Sequence, residues 1–231
     1  MLGSQAQSEQ AAAGPPSERV RLRRKRERGS YERALIDAIL DEGLIAHLGF
    51  ADEHGQPFVT PTLHARSGDV VYCHGSAASR TLRALAAGAP ACLTVSLIDG
   101  LVLARSAMHH SANYRSAMVL GRARAVTDEQ EKREALRAIV EHIVPGRWRD
   151  VREPRANELA ATAVLALPID EASAKVRAGG PMDDEEDYAL PAWAGVIPLA
   201  LVAALPEPDQ RLHADVPMPS YVSGYARPGA R

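Results

Sequence analysis

The segment Val70–Leu85, VVYCHGSAASRTLRAL, gathers three hydroxyls and a guanidinium at a change of backbone character. Its first half is β-branched and aromatic, as a strand requires; its second half is Ala, Leu and Arg, as a helix requires. Gly75 and Ser76 stand between them. With Ser76 as N-cap, a helix is expected from residue 77, ending at Gly88 before Pro90. A helix start offers unpaired N–H groups and the positive end of the macrodipole, so it can hold a phosphate where side-chain donors converge. Ser76, Ser79, Arg80 and Thr81 are such donors, and the planar fork of Arg80 can grip two phosphate oxygens. The same residues also fit a plain cap followed by an exposed helical arginine. Taken alone, they leave the two readings level.

Other chemistry-bearing residues point less far. His109 and His110 are adjacent, so on a strand they face opposite ways and cannot chelate one metal together; no metal site is expected. HGSAAS lacks the second glycine of the G-x-S-x-G nucleophile elbow, which argues against a serine hydrolase. Neither a Walker A sequence nor G-x-G-x-x-G occurs, so nucleotide hydrolysis and a Rossmann site have no support. Cys73 and Cys92 sit in apolar runs without metal-ligand spacing, so neither a zinc site nor a disulfide framework is expected. Trp148 and Trp193, each beside Gly or Pro, read as rigid corners or core anchors.

The elements that must position the Val70–Leu85 junction are mostly strands. LIAHLGFA, PFVTPTLHAR, DVVYCHG, ACLTVSLIDGLVLAR and SAMVLGRARAVT are β-prone runs. Turn signals separate them at Asp52-Glu53-His54-Gly55, Ser67-Gly68-Asp69 and Asp99-Gly100. The pattern predicts a mainly β fold with flanking helices, a mostly antiparallel barrel. One amphipathic helix is expected after Ser30, with Leu35, Ile36, Ile39 and Leu40 on its buried face and Gly43 past its end. A second begins at Thr127 or Asp128 and buries Ala135, Leu136, Ile139, Val140 and Ile143, stopping at Pro145-Gly146. A further helical turn and a strand near Ala163–Pro168 follow, then an exposed acidic loop at Asp183–Asp187 and a strand-like AWAGVIPLALVAAL.

The chain has 231 residues, of which 46% are apolar, with 27 basic against 29 acidic residues and a formal charge of -2. That balance gives no strong nucleic-acid signal. No uncharged apolar run reaches the roughly 20 residues of a membrane span and no signal-peptide core is visible, so a cytoplasmic protein without membrane association is expected. Residues 1–29 read as a disordered basic N-terminal segment: MLGSQAQSEQAAAGPPS is a polar lead, and Arg19–Arg28 is expected to be a solvated run lying against the body. The main domain is expected over residues 30–205. A Pro-rich arm then covers 206–231.

The order PTLHARSGDVVYCHGSAASRTLRAL followed by NYRSAMVLGRARAVTDEQEKREALRAIV resembles the pyridoxamine 5'-phosphate oxidase-like family, in particular its flavin-nucleotide-binding and nitroimidazole-resistance branch. The resemblance spans about Tyr31 to Leu205. It implies an FMN-binding split β-barrel and a homodimer with the flavin held at the subunit interface. By position it implies that Val59, Thr60, Pro61, Thr62, Leu63 and His64 run along the isoalloxazine ring. It likewise assigns Cys73, His74, Ser76, Ser79, Arg80 and Thr81 to the ribityl and phosphate, and Tyr114, Arg115 and Ser116 to a neighbouring strand that approaches the flavin. His74 is then the candidate catalytic residue, since an imidazole beside a flavin can move protons near neutral pH. The pyridoxamine 5'-phosphate oxidases themselves carry paired basic residues and a lysine where this chain has Arg80-Thr81 and His64. That departure argues against a phosphorylated B6 substrate.

The resemblance implies an FMN-dependent oxidoreductase acting on a small molecule. The alternatives are a non-enzymatic flavin or haem binder or sensor on the same barrel, and a deazaflavin-dependent reductase.

Overall fold

A computed structural model describes residues 14–226. Ten strands form one sheet: β1 (Gly29–Ser30), β2 (Ile45–Ala51), β3 (Pro57–Ser67), β4 (Val70–Ser76), β5 (Pro90–Leu103), β6 (Ser111–Arg122), β7 (Arg124–Ala125), β8 (Thr162–Pro168), β9 (Glu171–Arg177) and β10 (Gly195–Pro198). Their order is β1-β9-β6-β5-β2-β3-β4-β8-β7, with β10 added to β5, and every pairing is antiparallel. The sheet curls without closing, as a split barrel does. Strict alternation drives this: β2 turns Ala46, Leu48 and Phe50 inward and leaves Ile45, His47 and Ala51 exposed, so one face supplies the core.

Five α-helices accompany the sheet: α1 (Arg33–Glu42), α2 (Arg80–Ala86), α3 (Glu129–Ile143), α4 (Ala156–Ala161) and α5 (Ser220–Ser223). α1 buries Ile36, Ile39 and Leu40 in the main core with Val71, Leu85, Leu93, Val95 and Val119. α3 covers the opposite face of β4 and β8, where Ala135 and Leu136 meet Val164, Ala166, Val70 and Tyr72 in a second, smaller core. Its N-cap is Asp128, whose Oδ1 accepts from the Glu131 N–H at 2.8 Å. Among the described residues no helix is long and apolar enough to cross a membrane.

Several expectations shift. Asp99-Gly100 is not a turn but a bulge inside the single long strand β5. β10 pairs alongside it, and a Cβ on Gly100 would stand 2.9 Å from the Ile197 carbonyl. β9 is a strand that the sequence does not predict: its Glu-Ala-Ser-Ala-Lys run has no strand-like composition and is extended because β6 and β1 both offer it ladder partners. Ser30 does not cap α1: the cap position is Glu32, and the Ser30 hydroxyl accepts from its N–H one turn early. The start of the polar lead, residues 1–13, lies outside the described residues. The rest of the segment expected to be disordered up to residue 29 docks from Val20, whose side chain is buried, through a 3-10 turn at Arg26–Arg28 into β1. Asp183 turns inward from the acidic loop and accepts from the Arg105 N–H at 2.9 Å and its Nη1 at 3.0 Å.

Candidate functional site

The strand-to-helix junction forms, but three residues later than its sequence suggests. Ser76 stays in β4, paired with Thr162 of β8, and the Ala77 N–H bonds to the Ala161 carbonyl at 2.9 Å. The strand ends at Ser76, and a turn at Ala77–Ala78, closed by the Ser79 N–H to the Ser76 carbonyl at 2.9 Å, leads to Ser79, which caps α2 by accepting from the Leu82 N–H. The Ser76 hydroxyl instead accepts from the Ala78 N–H inside the turn. α2 is only two turns long, so its dipole is small and side chains must supply most of any anion binding.

Those side chains converge. The Arg80 guanidinium lies 3.9 Å above the Phe58 ring of β3 and has no carboxylate partner among the described residues. Thr60 Oγ1 and Thr81 Oγ1 are 3.5 Å apart, joining β3 to the start of α2. Val59, Thr60 and Pro61 are exposed along the same stretch of β3, while Thr62 and Leu63 are half-buried. An uncommitted cation, three hydroxyls and an open strand together suit the phosphate end and the planar body of a nucleotide. Phe58, absent from the sequence-based site, is the platform that holds Arg80 flat; an aromatic two residues before Thr60 was the visible signal.

Two assigned residues point away. His64 is fully buried, with Nε2 3.0 Å from the Leu40 carbonyl and its ring 5.1 Å from that of His142. Cys73, opposite His64 in the ladder, is buried in the main core, and burial pushes its thiol up to about 12. Neither side chain can line a solvent-facing groove. The period-2 alternation that hides Cys73 turns His74 outward.

His74 faces a cavity of about 440 Å³ between β4, α3, α4 and the turn at Trp148–Asp150. Leu136, Ile139, Val140, Trp148 and Leu159 make its walls mostly apolar. The His74 Nδ1 is buried without a hydrogen-bond partner. Burial also lowers the His74 pKa below its ordinary 6.5, which keeps the imidazole neutral near pH 7. A neutral imidazole in an apolar cavity is suited to binding a metal centre. Trp148, read from sequence as a corner, is one of the cavity walls.

Tyr114, Arg115 and Ser116 lie on β6, separated from β3 by β5 and β2. Along the sheet they stand three strand spacings, about 14 Å, from β3. Arg115 is moreover engaged: it donates to both carboxylate oxygens of Glu42 and to both of Asp99, the latter at 3.0 and 2.7 Å. These bonds raise its pKa further and fix it as a tie between α1, β5 and β6. His109, Asp184 and Asp187 each place one potential ligand atom within 4.8 Å of the others. Asp184 is exposed, and the buried His109 Nδ1 stands 3.8 Å from Asp183 Oδ1 without a hydrogen bond.

The family profile described as Pyridoxamine 5'-phosphate oxidase matches residues 32–176. Among solved structures the chain is similar to the flavocytochrome Anf3 from Azotobacter vinelandii, with 48% identity over 94% of this chain and 100% of that one and a TM-score of 0.88. It is similar to the FAD and heme binding protein from Mycobacterium smegmatis, with 38% identity over 87% of this chain and 98% of that one and a TM-score of 0.82. A more distant likeness joins it to a protein from Bacteroides thetaiotaomicron named for 5-nitroimidazole antibiotic resistance, with 25% identity over 64% and 86% of the two chains and a TM-score of 0.55. No curated protein matches.

Proposed function

This chain belongs to the pyridoxamine 5'-phosphate oxidase family, and from that premise we propose that it is a redox protein that binds both a flavin and a haem, the haem through His74. The observation that carries the reading is the buried, unpartnered Nδ1 of His74 in an apolar cavity, since a buried polar atom without a partner is costly unless a ligand completes it. The two most similar relatives described above, a flavocytochrome and an FAD and heme binding protein, support the same pairing. The second of them, named for FAD, also favours FAD as the flavin over the FMN that the family resemblance alone implies.

In this reading each group has its own set of residues. Arg80 neutralises a flavin phosphate that the hydroxyls of Ser76, Ser79 and Thr81 help to bind, and the run Val59–Leu63, exposed at Val59, Thr60 and Pro61, lies along the ring. His74 ligates the haem iron, and the walls formed by Leu136, Ile139 and Trp148 exclude water from it. When bound, the two groups supply two-electron and one-electron chemistry respectively. Because burial holds the His74 imidazole neutral, the residue is better suited to ligation than to proton donation. Ser76 is two residues from His74 on β4, so a single strand end serves both sites.

The functional unit is proposed to be a homodimer. Val59, Ile98 and Leu101 leave large apolar side chains exposed on one chain, which supports that reading, and a second copy would let Tyr114–Ser116 approach the flavin.

An absorption spectrum of the purified protein, followed by heat release and chromatography, tests the reading. Flavin bands together with a Soret band are expected, with FAD in the released material; His74→Ala should lose the Soret band and retain the flavin. A flavin-free protein that fails to bind added FAD or FMN refutes the flavin assignment. An unchanged haem spectrum in His74→Ala refutes the ligand assignment.

A further inference from the structure

A second cavity, of about 540 Å³, opens at the edge of the sheet where the basic N-terminal segment meets β9. Arg177 forms part of its wall and is only 7% exposed. Its contacts are all neutral: Nη1 donates to the Asn113 side-chain carbonyl and to the Gly179 carbonyl at 3.2 Å, and Nη2 donates to the Gly180 carbonyl at 3.0 Å. No carboxylate among the described residues pairs with it. Burial, together with the nearby charge of Arg28, pulls its pKa below the ordinary arginine value. A buried cation without a counter-ion is strongly unfavourable, and natural structures keep one where an anion completes it.

The geometry indicates which anion. Three bonds to neutral acceptors among five N–H groups leave donors of Arg177 available to an anion. Lys25 and Arg28 also line the cavity, and Glu27 is the one acid there. Three cations against one carboxylate leave a surplus of two positive charges, which matches a phosphate near neutral pH better than a carboxylate. Lys25 is also the only described non-glycine residue with positive φ, at 55°, a conformation that favours glycine. The Arg19–Arg28 run therefore has a destination in the fold.

We propose that this cavity binds a small phosphate-bearing anion, held by the buried guanidinium of Arg177 and flanked by Lys25 and Arg28. Within one chain β6, β5 and β2 lie between β9 and β3 in the sheet, but Arg177 pairs with Tyr114, so retention of flavin by Arg177→Gln is what separates this site from a flavin groove completed by a second copy.

The test uses the cofactor-loaded protein, with inorganic phosphate and glycerol 3-phosphate as probes against chloride at constant ionic strength. At ten times the dissociation constant, phosphate should raise the thermal midpoint by about 3–5 °C and broaden the ³¹P resonance of the probe. Arg177→Gln should abolish both effects while keeping its flavin. If that variant does not fold, Lys25→Gln combined with Arg28→Gln, at the rim, should weaken phosphate binding about tenfold. Equal responses to phosphate and chloride in the wild type overturn the proposal, as does an undiminished phosphate response in a folded Arg177→Gln or in the rim double variant. Loss of flavin from a folded Arg177→Gln would assign the cavity to the flavin and overturn it too.

Discussion

Replacing Arg115 by Leu separates two accounts of the same residue. The family resemblance places Arg115 beside the flavin, whereas the structure places it between Glu42 at the end of α1 and Asp99 at the bulge of β5. Removing the guanidinium deletes its bonds to two carboxylates. Hydrogen bonds to charged groups contribute about 1.5–3 kcal/mol each. Because the Glu42 and Asp99 side chains are 19% and 35% exposed, water recovers part of that, and a net loss of about 2–4 kcal/mol is expected. In a domain of this size such a loss lowers the thermal midpoint by about 5–12 °C. Urea unfolding of flavin-free protein should show a lower midpoint with an unchanged slope. A flavin titration at a temperature where the variant is folded should give a dissociation constant within about threefold of wild type. Unchanged stability with lost flavin affinity would refute the structural account and restore the resemblance-based one.

Three further outcomes follow from the site geometry. Arg80→Ala should weaken flavin binding by about 1.5–3 kcal/mol in a fluorescence titration, and unchanged affinity would remove the phosphate assignment. Cys73, with its thiol buried and pushed up to about 12, should resist iodoacetamide in the native protein, and Cys73→Ala should keep its flavin; rapid native labelling, read by peptide mass spectrometry, would contradict its placement. The lowered pKa of His74 means that, as pH falls through about 6.5, the unfolded cofactor-free chain takes up a proton that the folded one does not. Stability of the cofactor-free protein should therefore decline below that pH, and His74→Phe should flatten this part of the profile. Identical profiles for the two proteins would show that His74 is not desolvated.

Hydrophobic alternation and helical periodicity were enough to place β2, β3, β4, α1 and α3, because each buries one face and its sequence has to show which. The same local patterns located the strand-to-helix junction and its Arg80, since turn and cap chemistry is written in neighbouring residues. The exact cap was not legible: Ser76 and Ser79 are both good caps, and the choice between them was made by β8, which keeps Ser76 extended through a partner 86 positions away at Thr162. Nor could β9 be read, because its composition is not strand-like and ladder bonds to β6 and β1 hold it extended.

What the sequence determined by itself was the fold class and the strand-to-helix junction that carries Arg80, both products of short-range pattern. What only the tertiary structure decided was which polar groups have partners. Arg115 meets Glu42 and Asp99, His64 meets the Leu40 carbonyl, and Arg177 meets no acid at all among the described residues. Pairing of charges depends on distances between residues far apart in the chain, and those distances exist only once the sheet has folded.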